Sequence, residues 1–129
     1  VSGTERVWRV SRESECISVT THVRNAGFGK PSTCAASLLG ECWFLNRVVV
    51  HRDDRGAGIG KELMRRLQQA LGERWTLERY RSETHKLIVT PGGYGSDPAD
   101  LEKFYQACGF TTTSPLPELL MEWKMRDAK

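Results

Sequence analysis

The sequence has no apolar run of membrane-spanning length and no charged-then-apolar pattern at its amino terminus, so neither a membrane partner nor a secretory signal is read from it. It has no CxxC pair and no histidine cluster. The four cysteines, Cys16, Cys34, Cys42 and Cys108, are scattered through apolar or strand-like stretches, which points to small buried thiols rather than disulfides or zinc ligands. No metal is expected, and a reduced, cytoplasmic setting is. Excess charge of one sign is also lacking: 19 Lys and Arg oppose 16 Asp and Glu, leaving +3. That is too mild for a nucleic-acid partner, and it slightly favours an anionic ligand. Arg65, Arg66, Arg74, Arg79 and Arg81 read more simply as a solvated helix face. Repeats, low-complexity tracts and a second-domain boundary are absent too, so residues 1–129 are expected to form a single domain. Its 39% hydrophobic and 27% charged residues are ordinary for a globular fold. Val1 in place of Met leaves room for residues upstream.

The chain is organised around Phe44 to Leu71, FLNRVVVHRDDRGAGIGKELMRRLQQAL. An apolar run, Val48 to Val50, leads through a polar turn into Arg55-Gly56-Ala57-Gly58-Ile59-Gly60. A segment of helical period follows. Ile59, Leu63, Leu67 and Leu71 share one face with Met64 and Ala70 beside them, and Gly72 is read as the stop. Glycines permit a tight turn and close backbone approach, and a helix starting there offers its unpaired N–H groups and positive dipole end to an anion. The alternative is a tight strand-to-helix connection with no ligand. Gly56, Gly58 and Gly60 alternate instead of matching GxGxxG, and no GK[ST] ends the turn, so dinucleotide sites and phosphate-binding P-loops are poor fits.

Taken in order, residues 5–10 and 17–23 read as strands separated by a few polar residues, with Val7 or Trp8 turned inward. Residues 33–39 and 42–50 read as an antiparallel hairpin closed at Gly40-Glu41. Residues 73–84 read as an extra helical turn or a packed loop. His85 to Thr90 is a fifth strand, and 91–96 a glycine-rich loop. Asp97 and Pro98 start a second helix carrying Leu101, Phe104, Tyr105 and Cys108 on one face and stopped by Gly109. Two last strands, 110–113 and 119–124, flank a proline loop. The class is mixed α/β (α+β), a mostly antiparallel central sheet flanked by helices.

At Arg55 to Gly60 the chain resembles the (Gln/Arg)-x-x-Gly-x-(Gly/Ala) signature of the GNAT superfamily of acyl-CoA N-acyltransferases. Residues 101–110, LEKFYQACGF, resemble a second recurring segment of that family through Phe104, Tyr105, Gly109 and Phe110. The resemblance covers most of the chain and implies a GNAT-like acetyltransferase. The acyl donor would be acetyl-CoA, and a short acyl group would pass to a primary amine by direct attack in a ternary complex. It implies that the backbone of Val48, Val49 and Val50 binds the pantetheine arm of coenzyme A. Arg55, Gly56, Ala57, Gly58, Ile59 and Gly60 would hold the pyrophosphate, and Tyr105 would donate to the departing thiolate.

Two departures from the family pattern matter. The fourth strand, Cys42 to Val50, carries no carboxylate, so Asn46 is the catalytic candidate there, holding a water that takes the amine proton; the alternative is uptake of an amine that is already neutral. Glu41, His22, His51 and His85 are read as surface or structural groups. The region between the first two strands, Ser11 to Glu15, is too short for the two helices usual in the family. The acceptor side would then be open, bounded by the Tyr94 loop and the loop at Ser114 to Pro117, and suited to a peptide or protein amine, or would be completed by residues upstream of Val1. The acceptor is not named by the sequence, and exposed strand edges permit a homodimer. The rival reading is a non-catalytic acyl-CoA-binding or protein-interaction module with the same fold.

Overall fold

The computed structural model describes residues 5–23, 31–51, 54, 56, 58–77, 86–91, 97–115 and 119–125. Its elements run β1 (Arg6–Arg12), β2 (Cys16–Val23), β3 (Ser32–Leu39), β4 (Cys42–Val49), α1 (Ile59–Thr76), β5 (Lys86–Val89), α2 (Pro98–Ala107), β6 (Thr111–Ser114) and β7 (Leu120–Lys124). The strands form one mixed sheet in the order β1-β2-β3-β4-β5-β7-β6. All neighbours are antiparallel except β4 and β5. This is the expected mostly antiparallel sheet with helices.

Strand alternation decides which side is buried. Ile17, Val19 and Thr21 of β2 and Ser32, Cys34 and Ala36 of β3 are all essentially inaccessible, as expected for every second residue under a helix. Helix α1 lays Leu63, Met64, Leu67, Ala70 and Leu71 on this face. Helix α2 joins it there: Gln68 donates to the Cys108 carbonyl at 2.8 Å, and Tyr105 and Phe110 belong to the same buried cluster as Cys34 and Leu87. Trp8, not Val7, takes the helix side of β1, with the Arg66 guanidinium 4.2 Å from its ring centre.

Among the described residues no helix covers the opposite face. β1 passes to β2 through a turn in which the Glu13 N–H donates to the Cys16 carbonyl at 2.8 Å. The expected shortening of the amino-terminal helical region is therefore present.

Gly72 does not end α1. It is buried within a helix that continues to Thr76, where Leu77 turns extended. The last turn is retained because Arg74 has two uses: its guanidinium lies 5.1 Å from the Trp43 ring centre and donates to the Ser14 carbonyl at 2.6 Å. Tertiary contacts here outweigh the roughly 1 kcal/mol that an interior glycine costs a helix. The cysteines are all free, Cys34 buried and the other three partly so.

Candidate active site

The site is assembled where β4 leaves β5. The two strands pair only at Trp43–Leu87 and Phe44–Ile88, while β4 runs on to Val49 along β3. From Leu45 onward the strands part, opening a wedge in the sheet. On its other edge, β4 pairs Leu45 with Ala36 and Arg47 with Ala35, so Asn46 is the extra residue of a bulge. The bulge reverses the alternation. Trp43 points to the helices before it, and Val48 and Val50 pack against the core after it, leaving Val49 48% exposed. Asn46 itself is exposed, its side-chain amide donating to the Ser37 hydroxyl.

The three glycines of the turn have two different reasons to be glycine. Gly56 (φ 83°) and Gly58 (φ 77°) hold left-handed backbone with open space around a notional Cβ, so conformation requires them. Gly60 is helical, and a Cβ there would stand 3.3 Å from both Val50 Cγ2 and Phe104 Cε1. It is a close-packing position joining the end of β4, the first turn of α1 and α2. Gly58 is also the α1 N-cap and has no side chain with which to cap it. The helix begins with the Glu62 N–H donating to the Gly58 carbonyl at 3.1 Å. Arg55 and Ala57 lie outside the described residues, as do His85, Tyr94 and Pro117.

Tyr105 owes its place to the end of α2. The Gly109 N–H donates to the Gln106 carbonyl and the Phe110 N–H to the Tyr105 carbonyl, each at 3.0 Å, with Gly109 at φ 96°. This is a Schellman cap, completed by the contact between Tyr105 and Phe110, whose rings lie 5.4 Å apart edge to face. The Tyr-x-x-x-Gly-Phe spacing thus has a local structural cause. Phe104 packs on the other side of Tyr105 at 5.2 Å. Tyr105 is 7% exposed, and burial beside Cys108 and Cys34 pushes its phenol up to about 12, so it keeps its proton at neutral pH. A cleft of about 320 Å³ between Gly58, Lys61 and Arg65 of the α1 start and Ala107 and Cys108 of α2 adjoins the glycine turn.

One group went unnoticed in the sequence. Asp54, 9% exposed, accepts from Arg6 of β1 at 2.6 Å and from the Ser32 hydroxyl of β3 at 2.6 Å. Ser32 Oγ in turn accepts the His51 N–H at 2.8 Å. Arg6 also donates to Thr21 at 3.2 Å. The Arg6 hydrogen bond, aided by Ser32 against the opposing effect of burial, holds the Asp54 carboxyl below its usual range. The network ties the segment before the glycines to two strands. Arg6 and Asp54 are 48 positions apart, so no local pattern could reveal the pair.

The acetyltransferase (GNAT) domain family matches residues 1–112. No curated protein matches at a significant level. Among solved structures, the ribosomal-protein-S18-alanine N-acetyltransferase of Escherichia coli is similar at a TM-score of 0.61 and 14% identity, over 92% of this chain and 74% of that one. The PaiA N-acetyltransferase of Thermoplasma acidophilum, solved with coenzyme A, gives 0.60 at 12% identity over 85% and 61%. The anti-CRISPR protein AcrVA5 gives 0.52 at 15% identity over 91% of this chain and 98% of that one. At these identities the likeness is one of fold. With the family match over most of the sequence, it places this chain in the GNAT acetyltransferase family.

Proposed function

We propose that the chain is an N-acetyltransferase that carries an acetyl or other short acyl group from acyl-CoA to a primary amine. The observation that supports this most is the convergence at Gly60: the chain leaving β4, the start of α1 and Phe104 beside Tyr105 come so close that a Cβ at Gly60 would stand 3.3 Å from both Val50 and Phe104. In this reading the backbone of Val48 to Val50 lies along the pantetheine arm. The α1 start from Gly56 to Gly60 receives the pyrophosphate, with Arg55 adding charge, because helix N–H groups and the dipole favour an anion there.

Acyl-CoA supplies an activated thioester. The neutral amine attacks its carbonyl carbon, a C–N bond forms, the C–S bond breaks, and the amine proton leaves to water. Tyr105 hydrogen-bonds the sulfur as charge develops on it. A phenol near 12 is a weaker acid than a thiol of about 8.5. Tyr105 therefore stabilises the thiolate by donation, and solvent delivers the final proton. Asn46, exposed at the bulge, positions the water that takes the amine proton. With no helix over the opposite face among the described residues, the acceptor side is open and suits a peptide or protein amine.

Thermal unfolding with acetyl-CoA, coenzyme A and ATP tests the donor site. Acetyl-CoA at a hundredfold over its Kd should add about 2.7 kcal/mol of stability, coenzyme A a comparable amount, and ATP little. Absence of any shift would sink the donor site. Replacing Tyr105 by Phe should lower turnover by about tenfold or more while leaving the acetyl-CoA shift in place. A donor shift with no turnover on any amine would favour the non-catalytic module.

A further inference from the structure

The face of the sheet opposite α1 and α2, which no helix covers among the described residues, has a composition that the acyl-transfer reading does not by itself require. Register places its residues in rows. Arg9, Thr20, Thr33 and Val49 lie side by side across β1 to β4, and Ser11, Ser18, Ala35 and Arg47 form the next row. Ser37, Phe44, Ile88 and Glu122 follow, crossing the β4–β5 junction at the foot of the wedge. Within these rows the two middle strands contribute only short side chains, with Thr20 and Thr33 hydrogen-bonded at 3.3 Å, while the exposed His22 and Leu39 lie at opposite ends of the same face. Arg9 on one side and Phe44, Arg47 and Val49 on the other flank these short residues.

Two features of this face point to a partner. Three of the four large hydrophobic residues exposed on this protein among the described residues, Leu39 (62%), Val49 (48%) and Leu120 (36%), fall on this face by strand alternation. Apolar side chains gathered on one face mark an interaction surface more than scattered ones do. The charge there is also one-sided. Strands β1 to β4 contain no Asp or Glu, and Arg9 and Arg47 are both exposed on this face. They stand three strand spacings apart, about 14 Å across the strands, and one row apart along them. Beyond the junction, Glu122 pairs with Lys86 at 3.5 Å, and Lys124 is exposed. A second copy related by a two-fold axis through this strip would set arginine against arginine, and a small amine acceptor without a carboxylate would leave the cations unused.

We propose that this face docks an acidic polypeptide whose carboxylates engage Arg9 and Arg47 and whose apolar side chains cover Val49 and Phe44, bringing an amine to the β4–β5 wedge. This rests on the acyl-transfer reading and adds to it the class of acceptor. Unlike charges across such a face guide encounter and fix register.

The test uses the whole chain with three fluorescent lysine peptides of equal length, flanked by Asp and Glu, by Ser, or by Arg. Binding is read by anisotropy and acetyl transfer by thiol release. The acidic peptide should bind at least tenfold tighter than the basic one, with a preference that shrinks as salt rises. The double variant Arg9→Glu with Arg47→Glu should lose that preference or reverse it, its KM for the acidic peptide rising about tenfold or more with kcat little changed. Its acetyl-CoA thermal shift should match the parent's, which separates a failed docking face from a failed donor site or a misfolded variant. Anisotropy decides the docking face even if no acyl-CoA binds. Equal binding of the three peptides, an unchanged preference in the double variant, tighter salt-sensitive binding of duplex DNA than of the acidic peptide, or self-association lost in the double variant would each overturn the proposal.

Discussion

Helix α2 begins with Asp97, whose carboxylate accepts the Ala99 N–H at 2.9 Å, whereas α1 begins with Gly58, which has no side chain to offer its own helix. The first start is closed by the chain itself, while both helices carry one acidic residue in the first turn, Asp100 and Glu62. The second has no side-chain cap of its own, which the proposed function assigns to an anion, and the segment before it is held from outside by the Arg6, Ser32 and Asp54 network. A helix end that is to receive an anion forgoes its own cap, and the lost local stabilisation is replaced by long-range polar contacts.

The contrast is broken most severely at Asp54. Asp54→Ala leaves Arg6 and Ser32 facing an empty position in a mostly buried network, which should cost about 3 kcal/mol and lower the unfolding midpoint by about 10 °C. The acetyl-CoA shift should shrink as well, because the turn loses its anchor. A variant that unfolds like the parent would show that the network holds nothing. The acid profile sharpens the same point. Asp54 has a lower pKa folded than unfolded, so its contribution is complete above about pH 4 and is lost as pH falls through the folded value. Glu62, held near 2 by hydrogen bonds from Arg65 and then Arg66, adds a loss of the same sign below its unfolded pKa of about 4.3. Asp54→Asn should therefore be less stable than the parent at pH 7 and lose less on acidification.

A smaller effect is expected at Gly58→Ala. A Cβ meets nothing within 4 Å, but φ is 77°, so the cost is conformational, about 1–2 kcal/mol. Gly60→Ala acts differently, since Phe104 and Val50 must move; acyl-CoA affinity should fall more than stability. The smallest change is at the closed start, where Asp97→Ala removes one cap and should cost about 1 kcal/mol with acyl-CoA binding unchanged. Equal effects of Gly58→Ala and Asp97→Ala on acyl-CoA binding would erase the distinction between the two starts.

Much of this molecule was legible locally. Strand alternation, the Gly40-Glu41 hairpin, the Asp97-Pro98 start and the Gly109 stop each depend on residues within one or two turns of chain, and all lie where the spacing put them. The glycine turn and the Tyr105 segment were legible for the same reason, since both are conformational signals written in adjacent residues. The end of α1 was misread at Gly72 because Arg74 secures the last turn through Trp43 and Ser14, partners more than 30 positions away.

By itself, then, the sequence determined the elements, their order, the helix starts and the family, because backbone preference and side-chain period act over a few residues. Tertiary structure alone decided that β4 bulges at Asn46 and parts from β5, that Asp54 is clasped by Arg6, and that Arg9 and Arg47 share a helix-free face with Val49. Each of these depends on which strands lie side by side and in what register. Register is chosen by burial of the whole sheet rather than by any one strand.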